Sequence, residues 1–543
     1  MPLTATIVAV VAAFAVYIVG VVVYRLFFHP LARYPGPLLA KITGWHAAYH
    51  AWRGDRHLEF WRCHEKYGSI YRWAPNSISV NTNTALKDIY GHRANVRKAD
   101  FYTAFPPTKD TFNTHSSIDR AAHARKRRVL SHAFSDSAIK TMEGHILDHV
   151  RALCTQLLGA TQKTRSPQLL EEKQAESSSK RGWSAPQNMA SWTNYLAFDV
   201  MGDLCFGKPF RMLTSPTNRF ATDLVASASH RHLICGTYLP IHKYHLDKLL
   251  FRRIAAGRAR YMAYSKAQAG ERAKIGIDGA PDRRDFFYYL LQARDPETGA
   301  GFAPAELWGE SNLLIIAGSD TTSTAMSATL FYLAHHPECF AQLARDVRAA
   351  FASLEDIRLG PALTTQAYLR ACIDEAMRLS PSVGGLLPRT VLPGGLAVDG
   401  HFFPPGTDLG VPHYAVHHNE AYFAEPFVFE PSRWLPDEAA GGADAVARAQ
   451  SAFCPFSIGP RGCIGKTMAY AEMSLTIARL VWAFDLRLAR GEAGRIGEGG
   501  WGEAGREWGR EKRGEYQLKD TFTSWKDGPM VEFKLREGAE IIE

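Results

Sequence analysis

Cysteine pairing is missing from this chain: 543 residues carry eight cysteines with no recurring short spacing between them. A disulfide framework is therefore excluded, and the thiols fit the reduced state of a cytosol-facing domain. No zinc-finger or RNA-binding signature accompanies the net charge of +9, so the basicity is read as scattered surface lysine and arginine, and no nucleic-acid partner is expected. Internal repeats are absent, and nothing before the C-terminal third resembles an inter-domain linker. With 46% hydrophobic and 22% charged residues, the chain can bury a large core, and general disorder is excluded.

Charge is also missing from residues 3–24, a run long enough to cross a bilayer as a helix. Arg25 ends the run. A cleaved signal peptide would carry its positive charge before the apolar stretch and not after it, so a retained single-pass anchor is expected. Arg25, Arg33 and Lys41 follow the anchor, which places the body of the protein on the cytoplasmic side, in a eukaryote at the endoplasmic reticulum. Pro30, Pro35 and Pro37 stiffen the exit. The expected division is an anchor over 1–25, a proline-rich hinge over 26–44 and one catalytic domain over 45–543. Two short strands are predicted around Ala74-Pro75-Asn76, and more short strands and turns around 399–407. From Arg120 onward amphipathic helices dominate. Three polar stretches, 162–186, 437–450 and 491–514, read as surface loops without chemistry.

Against this background one segment, FSIGPRGCIG over 456–465, sets Cys463 in a glycine-rich loop ahead of an apolar helix over 465–484. Helix N-termini, cations and metals all favour thiolate formation. Glycines 459, 462 and 465 allow backbone N–H groups to approach the sulfur. An inert buried cysteine and half a zinc site are the alternatives, but Cys454, nine residues away, is too distant for zinc-ligand spacing. GPRGCIGKT imitates a phosphate-binding loop with one residue too many. The spacing F-x-x-G-x-R-x-C-x-G, filled by Phe456, Gly459, Arg461, Cys463 and Gly465, resembles the haem-ligand loop of the cytochrome P450 family.

Upstream residues carry the same resemblance in the same order. A helix over 305–336 has AGSDTTST at its centre, where glycine and back-bonding hydroxyls are expected to open the backbone. Gly318, Asp320, Thr321 and Thr322 match the family's oxygen-binding motif. The resemblance gives Thr321 a hydrogen bond to bound oxygen and Asp320 a part in proton relay, with Ala317 and Gly318 leaving room for substrate. Glu375 and Arg378, one helical turn apart, and Arg433 in FEPSRW resemble the family's structural charge network behind the haem. Two haem propionates need cations. Arg461, Arg389 and the pair His123 and Arg127 are the candidates, although histidine stands at 123 where the family usually has tryptophan. Arg125, Lys126 and Arg128 read equally as solvated helix surface or as a patch for an acidic electron donor. His413, His417 and His418 have helix-like spacing but lack a supporting carboxylate cluster, so no second metal is expected.

The resemblance implies a mainly α P450 fold with a minor β part, preceded by one transmembrane helix. It also implies haem as cofactor and monooxygenation of a lipophilic small molecule with molecular oxygen. No flavin or nicotinamide domain fits in the remaining sequence, so a separate NADPH–cytochrome P450 reductase, with cytochrome b5 as an additional donor, is the expected partner. The C-terminal segments resemble filamentous fungal members, which favours specialised metabolism. Oxidation of simple aromatic compounds, an oxygen-independent haem-thiolate isomerase or dehydratase, and a haem sensor are the alternatives. Residues 102–118, 211–245, 383–387 and 521–525 are expected to face an apolar substrate.

Overall fold

The computed structural model describes residues 3–106, 111–163, 182–276, 279, 283–295, 297–436, 441–500, 510–539 and 541. The N-terminal helix Leu3–Val23 is exposed along its length and passes directly into a π-helical turn, Tyr24–Phe28. The whole apolar span, Leu3–Phe28, is 26 residues long. Arg25 therefore does not end the helix. Its long side chain turns back to donate to the Ile42 carbonyl at 2.5 Å, while its own carbonyl accepts from Arg72 Nη1 at 2.7 Å. The proline-rich segment 26–44 is pinned as well, because the Arg72 backbone N–H donates to Pro35 O at 2.8 Å.

The two predicted strands form as Ile70–Ala74 and Ser77–Val80, paired antiparallel. They open a five-stranded sheet continued by Asp408–Gly410, Arg389–Val391 and Val96–Lys98. Only the Ser77–Val80 and Asp408–Gly410 pair is parallel, with Ile78 opposite Leu409. A hairpin of Leu396–Val398 and His401–Phe403, and a C-terminal hairpin of Leu518–Thr521 and Thr523–Lys526, make up part of the remaining β structure.

Helices hold the core. The longest buried one, Pro304–His335, starts with proline at its first turn and with Glu306 accepting from the Ala303 N–H at 3.1 Å. It ends where Pro337 opens the next helix. Around it lie Met189–Phe206, Ala367–Leu379 and the helix that follows the cysteine loop, Lys466–Ala483. Their apolar faces form one continuous core. Burial of this kind, at about 25 cal/mol per Å² of apolar surface, is the main favourable term in folding.

Two of the three polar stretches are not simple loops. Within 437–450 the described part is helical, Gly442–Ala452, and Ala449 and Ala452 pack into the sheet-side core, because small side chains let this polar helix approach closely. Within 491–514, Arg510 is fully buried and donates to Leu379 O at 2.8 Å and Ser380 Oγ at 2.9 Å. The stretch 162–186 lies largely outside the described residues.

Candidate functional site

The cysteine loop has a defined geometry. The Cys463 N–H donates to Phe456 O at 2.8 Å, and Gly462 N–H to Gly459 O at 2.9 Å. At Gly459 φ is +69°, and a Cβ would stand 2.0 Å from the Tyr90 carbonyl, so only glycine fits there. Gly465 is different, since the nearest atoms to a Cβ would be Phe134 Cε1 at 3.8 Å and Cys463 Sγ at 3.9 Å. Its backbone N–H is among the groups that favour the Cys463 thiolate. Burial pushes the Cys463 thiol up, and the Gly465 N–H, Arg127 and Lys466 act in the opposite direction. Cys463 is solvent-accessible because it lines a cavity of about 370 Å³.

From the central helix, Ala317, Gly318, Thr321 and Thr322 line the same cavity. That helix is continuous through AGSDTTST, contrary to the expected opening, because its hydroxyls bond carbonyls one turn earlier without displacing the ladder. Thr321 Oγ1 donates to Ala317 O at 2.6 Å, and the Thr321 carbonyl accepts from Ser382 Oγ at 2.7 Å. The space at Gly318 is partly filled by Met201, whose sulfur would be 2.8 Å from an added Cβ. Asp320 is buried and is not among the cavity-lining side chains. Its Oδ1 faces Lys526 Nζ at 3.5 Å, and Lys526 also reaches Ser323 Oγ at 2.8 Å and Asn194 Oδ1 at 3.0 Å. No motif singled out Lys526, which reaches Asp320 from the C-terminal hairpin, or Asn194, which accepts from Lys526.

A second feature of the cavity is buried positive charge. His123, Arg127 and Arg461 line it, as does Lys98, which sequence reasoning missed. Lys98 and Arg389 stand directly opposite each other on neighbouring strands. Like charges so placed repel and need a compensating anion. Burial first, then Arg389 and Arg461, depress the Lys98 ammonium. Burial and these same cations pull His123 down to about 3, and Arg461 is lowered to about 10. Arg461 donates to Ser117 O at 2.7 Å and Ile118 O at 3.1 Å. Arg127 donates to the Gly462 carbonyl at 2.7 Å and so braces the cysteine loop itself. Arg389, just behind the cavity wall, donates to Tyr102 Oη at 3.2 Å.

Glu375 and Arg378 form a bidentate pair, with Nε–Oε2 and Nη2–Oε1 both 2.8 Å, and both side chains are fully buried. Arg433 Nε lies 3.3 Å from Glu375 Oε1, and Trp434 Nε1, not foreseen, donates to Oε2 at 3.0 Å. Burial pushes the Glu375 carboxyl up, but Arg378, Arg433 and the Glu430 N–H outweigh it and hold it low. None of the three charged residues lines the cavity.

The neighbours of His123 on the helix Arg120–Ser131 form neither a free surface nor a free basic patch. Lys126 is 2.7 Å from Glu306 and 3.2 Å from Glu310, Arg125 pairs with Glu306, and Arg128 with Glu297 at 2.9 Å. His413, His417 and His418 turn to separate partners: Val383 O, the Cys454 N–H and Tyr414 O. All four expected substrate segments reach the cavity, through Phe105, Leu224, Val383 and Phe522 among others. Arg258 and Tyr261, on the helix Arg252–Ile275, also line it and lay outside those segments.

A loop cysteine, a threonine-bearing helix and a cluster of cations meet around one cavity, the arrangement expected of a haem-thiolate protein, and comparison with known proteins gives the same class. The family model described as Cytochrome P450 matches residues 35–500. The chain is 42% identical over 520 residues to cytochrome P450 monooxygenase AKT7 of Alternaria alternata, covering 95% of each chain. It is 40% identical to cytochrome P450 monooxygenase apf7 of Gibberella fujikuroi, covering 96% of this chain and 97% of that one. A cytochrome P450 crystal structure, CYP102L1, superposes with a TM-score of 0.67 at 18% identity, over 89% of this chain and 94% of the other.

This chain belongs to the cytochrome P450 family. It is a monooxygenase whose cofactor is haem, with electrons from a redox partner. The cavity fits that cofactor on its own chemistry, because Lys98, Arg127, Arg389 and Arg461 form a buried cluster for which two propionates would supply the missing negative charge.

Proposed function

We propose that the enzyme oxidises a lipophilic specialised metabolite at the endoplasmic reticulum surface, with NADPH–cytochrome P450 reductase as electron donor and cytochrome b5 as an auxiliary one. The observation that carries this reading is that Cys463 and Thr321, from segments far apart in sequence, line one cavity. Haem bound there supplies the oxygen-activating iron, and a thiolate ligand favours cleavage of the oxygen–oxygen bond.

In this reading Cys463 would hold the haem iron as a thiolate, its proton being released to solvent on binding. The Gly465 N–H tunes its charge, and Gly459 and Arg127 keep the loop in shape. Phe456 covers the sulfur side. Arg461, His123 and Lys98 hold the propionates, with Arg389 adding charge from behind. The Thr321 hydroxyl, which donates to Ala317 O, would be the group that could donate into the cavity where haem activates oxygen, and Thr322 and Gly318 shape the wall beside it. Asp320, held by Lys526, supplies protons from behind the helix. Glu375, Arg378 and Arg433 maintain the fold.

The substrate is better described as amphiphilic than as purely apolar. Phe105, Leu224 and Leu313 line the chamber, but so do His115, His232, Asn312 and Tyr261, each with a buried polar atom lacking a protein partner. Leaving such atoms unpaired costs about 1–3 kcal/mol each, so a ligand with its own hydrogen-bonding groups is favoured. Arg258, desolvated and close to Arg231 and His232, adds positive charge on that side. Exposed Trp45, Tyr49, Trp52, Leu249 and Leu250 support seating of the body on the membrane beside its anchor. Purified protein with reductase and NADPH should consume oxygen above background when lipophilic candidates bearing polar groups are added. Consumption unchanged by every member of such a panel would defeat the proposal.

A further inference from the structure

Well away from the haem cavity, the first two helices after the hinge bring three ligand-type side chains together. Helix Trp45–Arg53 carries His46 and His50 one turn apart, with ring centroids 4.9 Å apart. Helix Arg56–Tyr67 presents Glu59 to both: His46 Nε2 is 3.7 Å from Oε1 and His50 Nε2 is 3.9 Å from Oε2. One ligand atom from each residue lies within 4.8 Å of the others. A small cavity of about 20 Å³ is lined by all three, which is room for an ion or one water.

Tetrahedral coordination at metal–ligand distances of about 2.0–2.2 Å places ligands about 3.4 Å apart, so the ligand atoms, now within 4.8 Å of one another, would close by up to about 1.4 Å through side-chain rotation. His50 is already oriented for it. Its Nδ1 is 2.8 Å from Oδ1 of buried Asp55, which leaves Nε2 directed towards Glu59. A carboxylate behind a histidine in this way fixes the ring and raises its basicity as a ligand. Cys63 donates its thiol to Glu59 Oε1 at 3.3 Å. It therefore supports Glu59 and leaves the fourth position to water. Arg56 also borders the cavity, but its Nε is bound to Asp520 at 3.1 Å.

We propose that His46, His50 and Glu59 bind a divalent transition-metal ion of the zinc type, with Asp55 as the orienting group. Two imidazoles and one carboxylate select such an ion over calcium or magnesium. The bound ion would tie together the two helices next to the hinge, the first of which carries exposed Trp45, Tyr49 and Trp52.

The test is titration of the chelator-treated, haem-loaded full chain with zinc against a chromophoric competitor, with calcium as a parallel arm. One equivalent should bind with micromolar or tighter affinity, and thermal unfolding should move upward with zinc and not with calcium. His50→Ala and, separately, Glu59→Gln should each weaken zinc binding at least tenfold while the haem absorbance spectrum stays unchanged. Equal zinc affinity in the parent and both variants, or no uptake by the parent, would overturn the proposal. Glu59→Gln preserves size and polarity, so it remains informative if His50→Ala misfolds.

Discussion

At the residue scale, Thr321 and Glu472 make separable predictions. Thr321 reaches the cavity with its hydroxyl while holding a bond within its own helix. Thr321→Ala should leave haem binding intact and raise hydrogen peroxide released per substrate oxidised several-fold, measured as the ratio of peroxide to product. Unchanged coupling would remove the role proposed for the hydroxyl. Glu472, on the helix after the cysteine loop, is fully buried with Oε1 unpartnered, and burial pushes its carboxyl up to about 8. The folded protein therefore keeps a proton that the unfolded chain releases near pH 4.5. The contribution of Glu472 to stability should be full below that pH and fall, by up to about 1.4 kcal/mol per unit, as pH rises towards 8. Glu472→Gln should flatten this slope, checked by urea midpoints at acid and alkaline pH.

At the scale of elements, the pair on the helix Ala367–Leu379 is the more demanding case. Arg378 makes both short contacts to Glu375 and also donates to the carbonyls of His417, Pro426 and Val428. Arg378→Met would leave a buried carboxylate short of its main partner, at a cost of about 3–5 kcal/mol. Arg433 makes one longer contact to Glu375 and is partly exposed. Arg433→Met should therefore cost clearly less. Urea denaturation and retained haem content measure both, and an inverted order would contradict the network described above. On the C-terminal hairpin, Lys526→Met removes the cation facing Asp320. Turnover should fall more than substrate affinity, read as a drop in kcat with KM little changed.

At the scale of the whole molecule, the segment that follows the N-terminal apolar helix is tied down by Arg72 at Arg25 and Pro35. Removing residues 3–28 should shift the protein from the membrane pellet towards the soluble fraction while leaving the carbon monoxide difference spectrum unchanged. Loss of that spectrum would mean that the anchor supports the fold as well as the location.

The sequence by itself determined the class: a loop motif around Cys463, a threonine pair in a long helix, and Glu375, Arg378 and Arg433 in order. These are local spacings, and local spacing survives in the linear chain. Tertiary structure alone decided which charges meet. Lys98 became visible as a partner of the cofactor site only when strand register set it opposite Arg389. Asp320 proved to face Lys526 and not the cavity, because the C-terminal hairpin packs behind the central helix. Arg125, Lys126 and Arg128 found acids from distant segments, so a basic run that looked free is paired. Coulomb energies and desolvation depend on distances through space, and only folding sets those distances.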